Sequence, residues 1–154
     1  GRFIAMIKIE YPPYQPKIKE ESGKEFIFHE FRKRWVLLTP EEWVRQHFMM
    51  FLIYEKKYPK GLFAIEKEHV FNNMKMRADL IVYKHDLSPW LICEFKAPEV
   101  AITQEVFYQV ARYNLTFDVP YLVVSNGLEH FCCRRVEDRF EFQDDIPDFE
   151  TVDK

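Results

Sequence analysis

The stretch Arg77-Ala-Asp-Leu-Ile-Val-Tyr83, followed by Leu91-Ile-Cys-Glu-Phe-Lys96, decides the fold of this chain. Both segments are short and mainly apolar, as strands in the interior of a sheet are. The residues between them, 84–89, are polar and have the length of a hairpin connection. The pattern therefore predicts two adjacent antiparallel strands, 78–83 and 90–96, at the centre of a sheet.

A symmetric hairpin brings two carboxylates together across these strands. It places Asp79 directly opposite Glu94, while Lys96 shares the face of Glu94 at a distance of about 7 Å along the strand. Two facing carboxylates repel one another, so this pairing favours a positive species between them. Carboxylate oxygens suit Mg²⁺ or Mn²⁺, which keep water ligands and bind one or two carboxylates together with a phosphate. The hairpin therefore predicts a metal site on Asp79 and Glu94, with the backbone carbonyl of Phe95 as a further ligand.

The predicted site has the chemistry of phosphodiester hydrolysis. A divalent ion lowers the pKa of a bound water and offsets the charge that develops on a phosphate. Lys96 would orient the attacking water or contact the scissile phosphate. The same spacing is also compatible with ordinary ion pairs, in which Asp79 binds Arg77 or Lys96 on a solvated face.

The remaining segments complete an α/β pattern. Thr39-Pro40-Glu41-Glu42 is a helix start, in which Thr39 caps the helix, the proline takes the first helical position and Glu42 completes a capping box. We expect a mixed central sheet flanked by helices in the order αβββαβ, with a parallel crossover between its last two strands. The further predicted elements are helices near 39–57 and 103–115 and strands near 25–31, 35–38, 62–71, 121–125 and 129–136.

Length and composition suit one domain. The chain has 154 residues, of which 47% are hydrophobic, enough for one packed core. We expect the core at about 35–136, an irregular proline-containing arm at 1–24 and a peripheral acidic tail at 137–154. No apolar run approaches the roughly 18 residues that a membrane span needs. The first residues do not resemble a signal peptide, so a cytoplasmic location without a membrane partner is expected.

Charge and cysteine content narrow the function classes. The net charge of −3 argues against a protein that coats nucleic acid by charge alone. It is compatible with a nuclease, because a carboxylate site carries acid that metal ions neutralise. Cys93, Cys132 and Cys133 lack metal-binding spacing and indicate structural thiols in a reducing compartment.

Polar side chains recur on one face of the second predicted helix. Gln109 and Tyr113 are four residues apart and are therefore neighbours on the helix surface, with Arg112 beside them. Next to a metal site, such side chains can hydrogen-bond phosphate or stack on a base. An ordinary solvated helix face also explains the pattern.

Four ordered elements together resemble a known family. They are Arg77-Ala-Asp79-Leu-Ile-Val-Tyr, Leu91-Ile-Cys-Glu94-Phe-Lys96-Ala-Pro, Gln109-x-x-x-Tyr113-Asn114 and Ser125-Asn126-Gly127. Over roughly 35–127 the chain is similar to the N-terminal nuclease domain of type I restriction enzyme R subunits, which belongs to the PD-(D/E)XK phosphodiesterases. The resemblance implies a restriction-endonuclease-like core and Mg²⁺-dependent hydrolysis of DNA that leaves a 5′-phosphate and a 3′-hydroxyl.

The resemblance also implies roles for particular residues. It assigns Asp79, Glu94 and Lys96 to the catalytic core and Gln109 and Tyr113 to DNA contacts. Two further acids have weaker counterparts in the family. Glu42 matches an acid that the superfamily often places on the first helix near the metal, although the capping box also accounts for it. Glu66 resembles a recurrent acid of the subfamily, or is a surface residue of its strand.

The chain also departs from the family pattern. Ala78 stands where the proline gives the superfamily its name, and no Gly-rich phosphate loop is present. The resemblance implies a DNA partner and a homodimer or a larger restriction-type complex, and the missing phosphate loop implies that this chain has no ATP site. An endonuclease is expected rather than an exonuclease. The competing hypotheses are a non-catalytic nucleic-acid or protein adaptor that keeps the nuclease fold, and a salt-bridged structural domain.

Overall fold

A computed structural model describes residues 14–71, 73–114 and 118–149 of the chain. The first described elements form a small antiparallel sheet of three strands, β1 (Ile18–Glu21), β2 (Lys24–His29) and β3 (Arg34–Leu37). Ser22 and Gly23 join β1 to β2 with positive φ angles of 54° and 78°. Two such residues in succession favour a tight hairpin turn. β1 therefore forms an ordered strand inside the segment for which the sequence predicted an irregular arm.

The central sheet contains six strands in sequential order. Every neighbouring pair is antiparallel except β6 and β7, which are parallel. The predicted mixed α/β architecture is thereby confirmed. The strands are β4 (Phe63–Phe71), β5 (Met74–Tyr83), β6 (Pro89–Phe95), β7 (Tyr121–Ser125), β8 (His130–Val136) and β9 (Arg139–Gln143).

Helix α1 (Pro40–Tyr54) lies between the two sheets in sequence, and a short 3₁₀ turn (Lys60–Leu62) precedes β4. Thr39 caps α1 as predicted, because its Oγ1 accepts a hydrogen bond of 3.0 Å from the Glu42 N–H. The helix ends at Tyr54, before the predicted end near Lys57, which has a positive φ of 63°. Helix α2 (Gln104–Asn114) forms the crossover between the parallel strands.

Each helix covers one face of the central sheet. Phe48 and Leu52 of α1 are fully buried in one cluster with Leu80 and Cys93 of the sheet. Phe107 and Val110 of α2 are buried in a second cluster. Leu122 belongs to that second cluster, while its strand neighbour Val123 belongs to the first. This alternation shows that β7 is covered on both faces, which explains its continuous apolar sequence.

The segment after β8 differs from the predicted peripheral tail. β9 pairs with β8, and Phe140 and Phe142 alternate along it on one face of the sheet. Ile146 and Phe149 are buried against the α1 side of the core. The many acidic residues of this segment led to the prediction of a tail. The alternation of Phe140 and Phe142 was the sequence signal for the strand.

All three cysteines are free and buried. The described part of the chain contains no helix that is both long and apolar enough to cross a membrane.

Candidate active site

The β5–β6 ladder has the predicted register from Leu80 to Val82, but it shifts at Tyr83, which pairs with Pro89, so the hairpin is not symmetric at its loop. Leu80 pairs with Cys93, and Ile81 pairs with Ile92. At the end of this ladder, Oδ2 of Asp79 accepts a hydrogen bond of 2.8 Å from the backbone N–H of Phe95. The bond holds the Asp79 carboxylate against the strand that carries Glu94.

The carboxyl groups of Asp79 and Glu94 are close enough to influence each other's ionisation. Burial and the neighbouring charge of Asp79 raise the pKa of Glu94 to about 7, against the opposing influence of Lys96. Burial also raises the pKa of Asp79, although the Phe95 N–H and the Arg45 charge act in the other direction. Two neighbouring carboxyls cannot both ionise without cost, so near neutral pH the pair tends to hold a proton.

Lys96 follows β6 and is partly exposed. Its Nζ lies 3.7 Å from Oε1 of Glu94, and 34% of its side chain is accessible. The backbone N–H of Lys96 donates a hydrogen bond of 2.8 Å to the Ser125 carbonyl at the end of β7. The structure therefore brings Asp79, Glu94 and Lys96 to one end of the central strands.

The Ser125-Asn126-Gly127 turn supports this end of the sheet. Ser125 Oγ lies 2.7 Å from Nδ1 of His130 and accepts a hydrogen bond of 3.0 Å from the Gly127 N–H. The Asn126 side chain donates to the Val100 carbonyl, in the segment that follows Lys96. These bonds give the Ser-Asn-Gly element a positioning role beside Lys96.

The donor set fits a hard divalent cation. Asp79 and Glu94 supply carboxylate oxygens, and a cation between them would replace the shared proton. No group of three or more His, Cys, Asp and Glu side chains within the described residues is arranged to hold a metal ion. Such an ion would therefore depend on the two carboxylates, the carbonyl of Phe95, water and substrate oxygens, a ligand set that Mg²⁺ accepts.

Glu42 and Glu66 both form ion pairs with Arg45, a residue that the sequence pattern did not identify. Arg45 Nη2 lies 2.7 Å from Glu42 Oε1 and 2.9 Å from Glu66 Oε1. Gln46 donates a hydrogen bond of 3.0 Å to Glu42 Oε2. The Glu42 side chain therefore does not close the predicted capping box, because its carboxylate turns to Arg45 and Gln46. The spacing of Glu42 and Arg45, three residues apart on a helix, was the available signal.

Charge pairing explains the ionisation of these two acids. Burial opposes ionisation of Glu42, but the hydrogen bond and charge of Arg45 outweigh it and hold its pKa below the ordinary value. The pKa of Glu66 is likewise lowered, since Arg45 and Arg32 outweigh its burial. Both acids are therefore ionised at neutral pH, unlike the Asp79–Glu94 pair.

Glu66 occupies a strained position beside Asp79. Its neighbours Ile65 and Lys67 pair with Leu80 and Ala78, so Glu66 stands next to Asp79 on the adjoining strand. Its φ is 54°, in the left-handed region that residues with a side chain rarely adopt. Three arginines surround the carboxylate at 2.9 to 3.8 Å, namely Arg32, Arg45 and Arg77.

The predicted DNA contacts lie on α2. Gln109 and Arg112 are exposed. Within the described residues neither forms a hydrogen bond or an ion pair with Asp79, Glu94 or Lys96. The backbone of Tyr113 belongs to α2, but its side chain lies outside the part that the structure describes.

Comparison with known proteins identifies the family. Residues 40–147 match the family described as "Type I restriction enzyme R protein N terminus". The matched range begins with α1 and includes the whole six-stranded sheet, and therefore Asp79, Glu94 and Lys96. No curated protein matches the chain at a significant level. Because the match covers most of the chain, this protein belongs to the type I restriction enzyme R protein N-terminal family.

Proposed function

We propose that this chain is a metal-dependent deoxyribonuclease that hydrolyses DNA phosphodiester bonds on a restriction-endonuclease-like core of αβββαβ order. The observation that carries the proposal is the placement of Asp79, Glu94 and Lys96 together at one end of the central strands, where the pKa of Glu94 is raised to about 7. Perturbed carboxyl pairs of this kind are concentrated at functional sites. Family membership supports the same assignment.

Asp79 and Glu94 would hold the metal, Mg²⁺ or Mn²⁺, together with the Phe95 carbonyl. When bound, the ion supplies Lewis-acid stabilisation of the charge on the phosphate. The chain itself supplies positioning, because the Phe95 N–H holds Asp79 at 2.8 Å in a single orientation. Both carboxylates must release the proton that they share before they bind the ion.

Lys96 would act on the substrate. Its ammonium carries three N–H donors on a flexible stem, and its position beside Glu94 allows it to donate to an oxygen of the scissile phosphate or to the attacking water. The new bond joins the water oxygen to phosphorus, and the water gives up a proton to solvent. The bond to the leaving 3′-oxygen breaks, and that oxygen takes a proton from solvent to form the 3′-hydroxyl. The Ser125 carbonyl holds the Lys96 backbone, while the partly exposed side chain pairs with Glu94 on the side where the substrate would bind.

The family is that of a restriction enzyme subunit, so the activity is proposed to operate within a restriction-type complex or a homodimer. Such an assembly would supply basic surface that this chain, with a net charge of −3, carries only in part.

Cleavage of supercoiled and linear plasmid DNA with Mg²⁺ or Mn²⁺ tests the proposal. Wild type should nick or cut, while Glu94→Ala and Lys96→Ala should lose activity. Glu41→Ala and Lys60→Ala alter exposed residues of the same types away from the site and should keep it. Chelation with EDTA should abolish cleavage by wild type. A folded wild type that stays inert with both metals would overturn the catalytic claim and leave the adaptor hypothesis.

A further inference from the structure

A groove lies between α2 and the last two strands of the central sheet. Its volume is about 260 Å³, and apolar surface dominates its lining. Pockets for drug-sized ligands measure roughly 300–1,000 Å³, so the groove suits a smaller planar group. The lining side chains used below are Ile102, Gln104, Phe107, Tyr108, Phe131 and Phe142.

Two aromatic side chains of the groove are unusually exposed. Tyr108 is 54% exposed and Phe142 is 62% exposed. The centroid of the Phe142 ring lies 5.1 Å from that of the buried Phe107 ring and 6.2 Å from that of the half-buried Phe131 ring. These contacts hold Phe142 in place on an edge strand while its outer face stays open. The groove therefore presents fixed aromatic surface to solvent.

A polar line runs along one side of the groove. Gln104 donates a hydrogen bond of 2.9 Å to the Tyr108 hydroxyl. Gln104, Tyr108 and Arg112 recur every four residues on α2 and so share one side of the helix. The exposed guanidinium of Arg112 thus stands one turn beyond the aromatic groove. An aromatic slot next to an amide and a cation matches the three parts of a nucleotide that proteins bind, namely base face, base edge and phosphate.

The groove and Glu94 of the proposed active site lie on the same face of the central sheet. Glu94 is in register with Val124 of β7, and Val124 is in register with Phe131 of β8. Residues in register project to the same face of a sheet. Two strand spacings separate Glu94 from Phe131, a distance of about 10 Å. Glu94 and the groove are therefore close enough for one DNA strand to reach both.

We propose that this groove binds an unpaired nucleobase of the DNA strand that is cut, with its ring between Tyr108 and Phe142 and a phosphate near Arg112. The inference rests on the proposed function, since it names the form of substrate that the same site takes. The faces of a base within a duplex are covered by its neighbours, so only an unstacked or single-stranded base can enter the slot. The preferred substrate is then a DNA end, a gap or another region with single-stranded character.

Binding in the absence of cleavage tests the groove. The probes are a fluorescein-labelled oligodeoxythymidylate and a duplex of mixed sequence, both in EDTA, with affinity measured by fluorescence anisotropy. Tyr108→Ala and Phe142→Ala should each weaken single-strand binding by roughly five-fold or more, because a base stacked on an aromatic ring is worth at least about that factor. Duplex binding should change far less.

Matched variants separate stacking from other effects. Phe142→Leu keeps apolar bulk but removes the ring, and should weaken binding nearly as much as Phe142→Ala. Tyr54→Ala removes a similarly exposed aromatic, 45% accessible, on α1 at the other face of the sheet, and should bind as wild type does. Circular dichroism and urea denaturation show whether each variant is folded.

Every outcome bears on the groove. Single-strand binding that is undetectable in wild type, or unchanged in the folded Tyr108 and Phe142 variants, overturns the proposal. If Phe142→Ala instead dissociates a dimer in sedimentation and leaves DNA binding unchanged, the groove is an interface between copies. If the groove variants lose single-strand binding but the wild type never cleaves plasmid, the proposed nuclease function is wrong and the proposed base-binding site stands. If the wild type cleaves plasmid but the groove variants bind single strands normally, the nuclease function stands and the base-binding site is wrong.

Discussion

The backbone N–H of Phe95 donates a hydrogen bond of 2.8 Å to Oδ2 of Asp79 across the end of the β5–β6 ladder. This bond turns the carboxylate toward the strand that carries Glu94 and accounts for the proximity of the two acids. Asp79 therefore has a structural role in addition to its proposed role as a metal ligand. Substitutions of Asp79 that keep or remove the oxygen accepting from Phe95 can separate the structural role from the metal-binding role.

Asp79→Asn should abolish metal-dependent cleavage and leave the fold nearly intact. The amide oxygen of asparagine still accepts from Phe95, and loss of the charge removes repulsion with Glu94. Asp79→Ala leaves the Phe95 N–H without its acceptor and should cost about 1–3 kcal/mol more in the free energy of unfolding. Urea denaturation in EDTA compares the two variants, and plasmid cleavage reports activity. An asparagine variant that cleaves like wild type would remove Asp79 from the metal site.

Stability of the metal-free protein should fall as pH rises through 7. The folded pKa of Glu94, about 7, lies above the ordinary carboxyl value of 4.5, so the folded state holds this proton more tightly than the unfolded state. The resulting stabilisation is fully present below the ordinary pKa and is lost as pH rises through the folded pKa. The glutamine of Glu94→Gln stays neutral at every pH tested. This variant should therefore be more stable than wild type at pH 8 by about 1–3 kcal/mol.

Urea denaturation at pH 5 and pH 8 in EDTA measures this difference. Glu41→Gln, a similar change at an exposed acid, should track wild type at both pH values. A wild type and a Glu94→Gln variant whose stabilities change in parallel with pH would show that the Glu94 proton is not held in the folded state.

Metal binding should release a proton near neutral pH. The Asp79–Glu94 pair holds a proton in the free protein, and a divalent ion binds the deprotonated carboxylates. Affinity for Mn²⁺ should therefore rise as pH increases through 7. Calorimetric titration in two buffers of different ionisation enthalpy counts the released protons. Mn²⁺ binding without proton release, or binding that Glu94→Gln leaves unchanged, would contradict this assignment.

The apolar pattern was sufficient to predict the centre of the sheet. Two buried strands and a polar loop define the register of the β5–β6 hairpin, and that register brings Asp79 to Glu94. The Arg45–Glu66 ion pair joins residues far apart in sequence, so no local pattern shows it. The Gln104–Tyr108 pair has the same spacing as Gln109 and Tyr113. Spacing alone could not show which pair lines a groove, because that depends on where β9 packs.

Arg45→Met should destabilise the protein by roughly 3 kcal/mol or more, because it leaves Glu42 as a buried charge without its cation. Only 8% of the Glu42 side chain and 13% of the Arg45 side chain are exposed. Arg139→Met breaks a surface pair with Glu141 and should cost less than about 1 kcal/mol. Urea denaturation measures both values.

Glu42→Gln distinguishes a support for Arg45 from a metal ligand. The glutamine keeps an oxygen for Arg45, so we expect a moderate loss of stability and unchanged affinity for Mn²⁺. Loss of Mn²⁺ affinity with unchanged stability would instead place Glu42 among the ligands.

Glu66→Gly should be more stable than Glu66→Ala, the reverse of the usual order in a strand. Both variants lose the ion pairs with the surrounding arginines, but only glycine adopts the φ of 54° without strain. The difference should be about 1 kcal/mol in favour of glycine. At Lys67, where φ is not positive, the alanine variant should be the more stable one. Urea denaturation of the four variants gives the stability difference between glycine and alanine at each position. If alanine is the more stable variant at both positions, Glu66 is unstrained. The reversed order would mean that the backbone at Glu66 adopts a costly conformation next to Asp79, and strain of this kind is concentrated at functional sites.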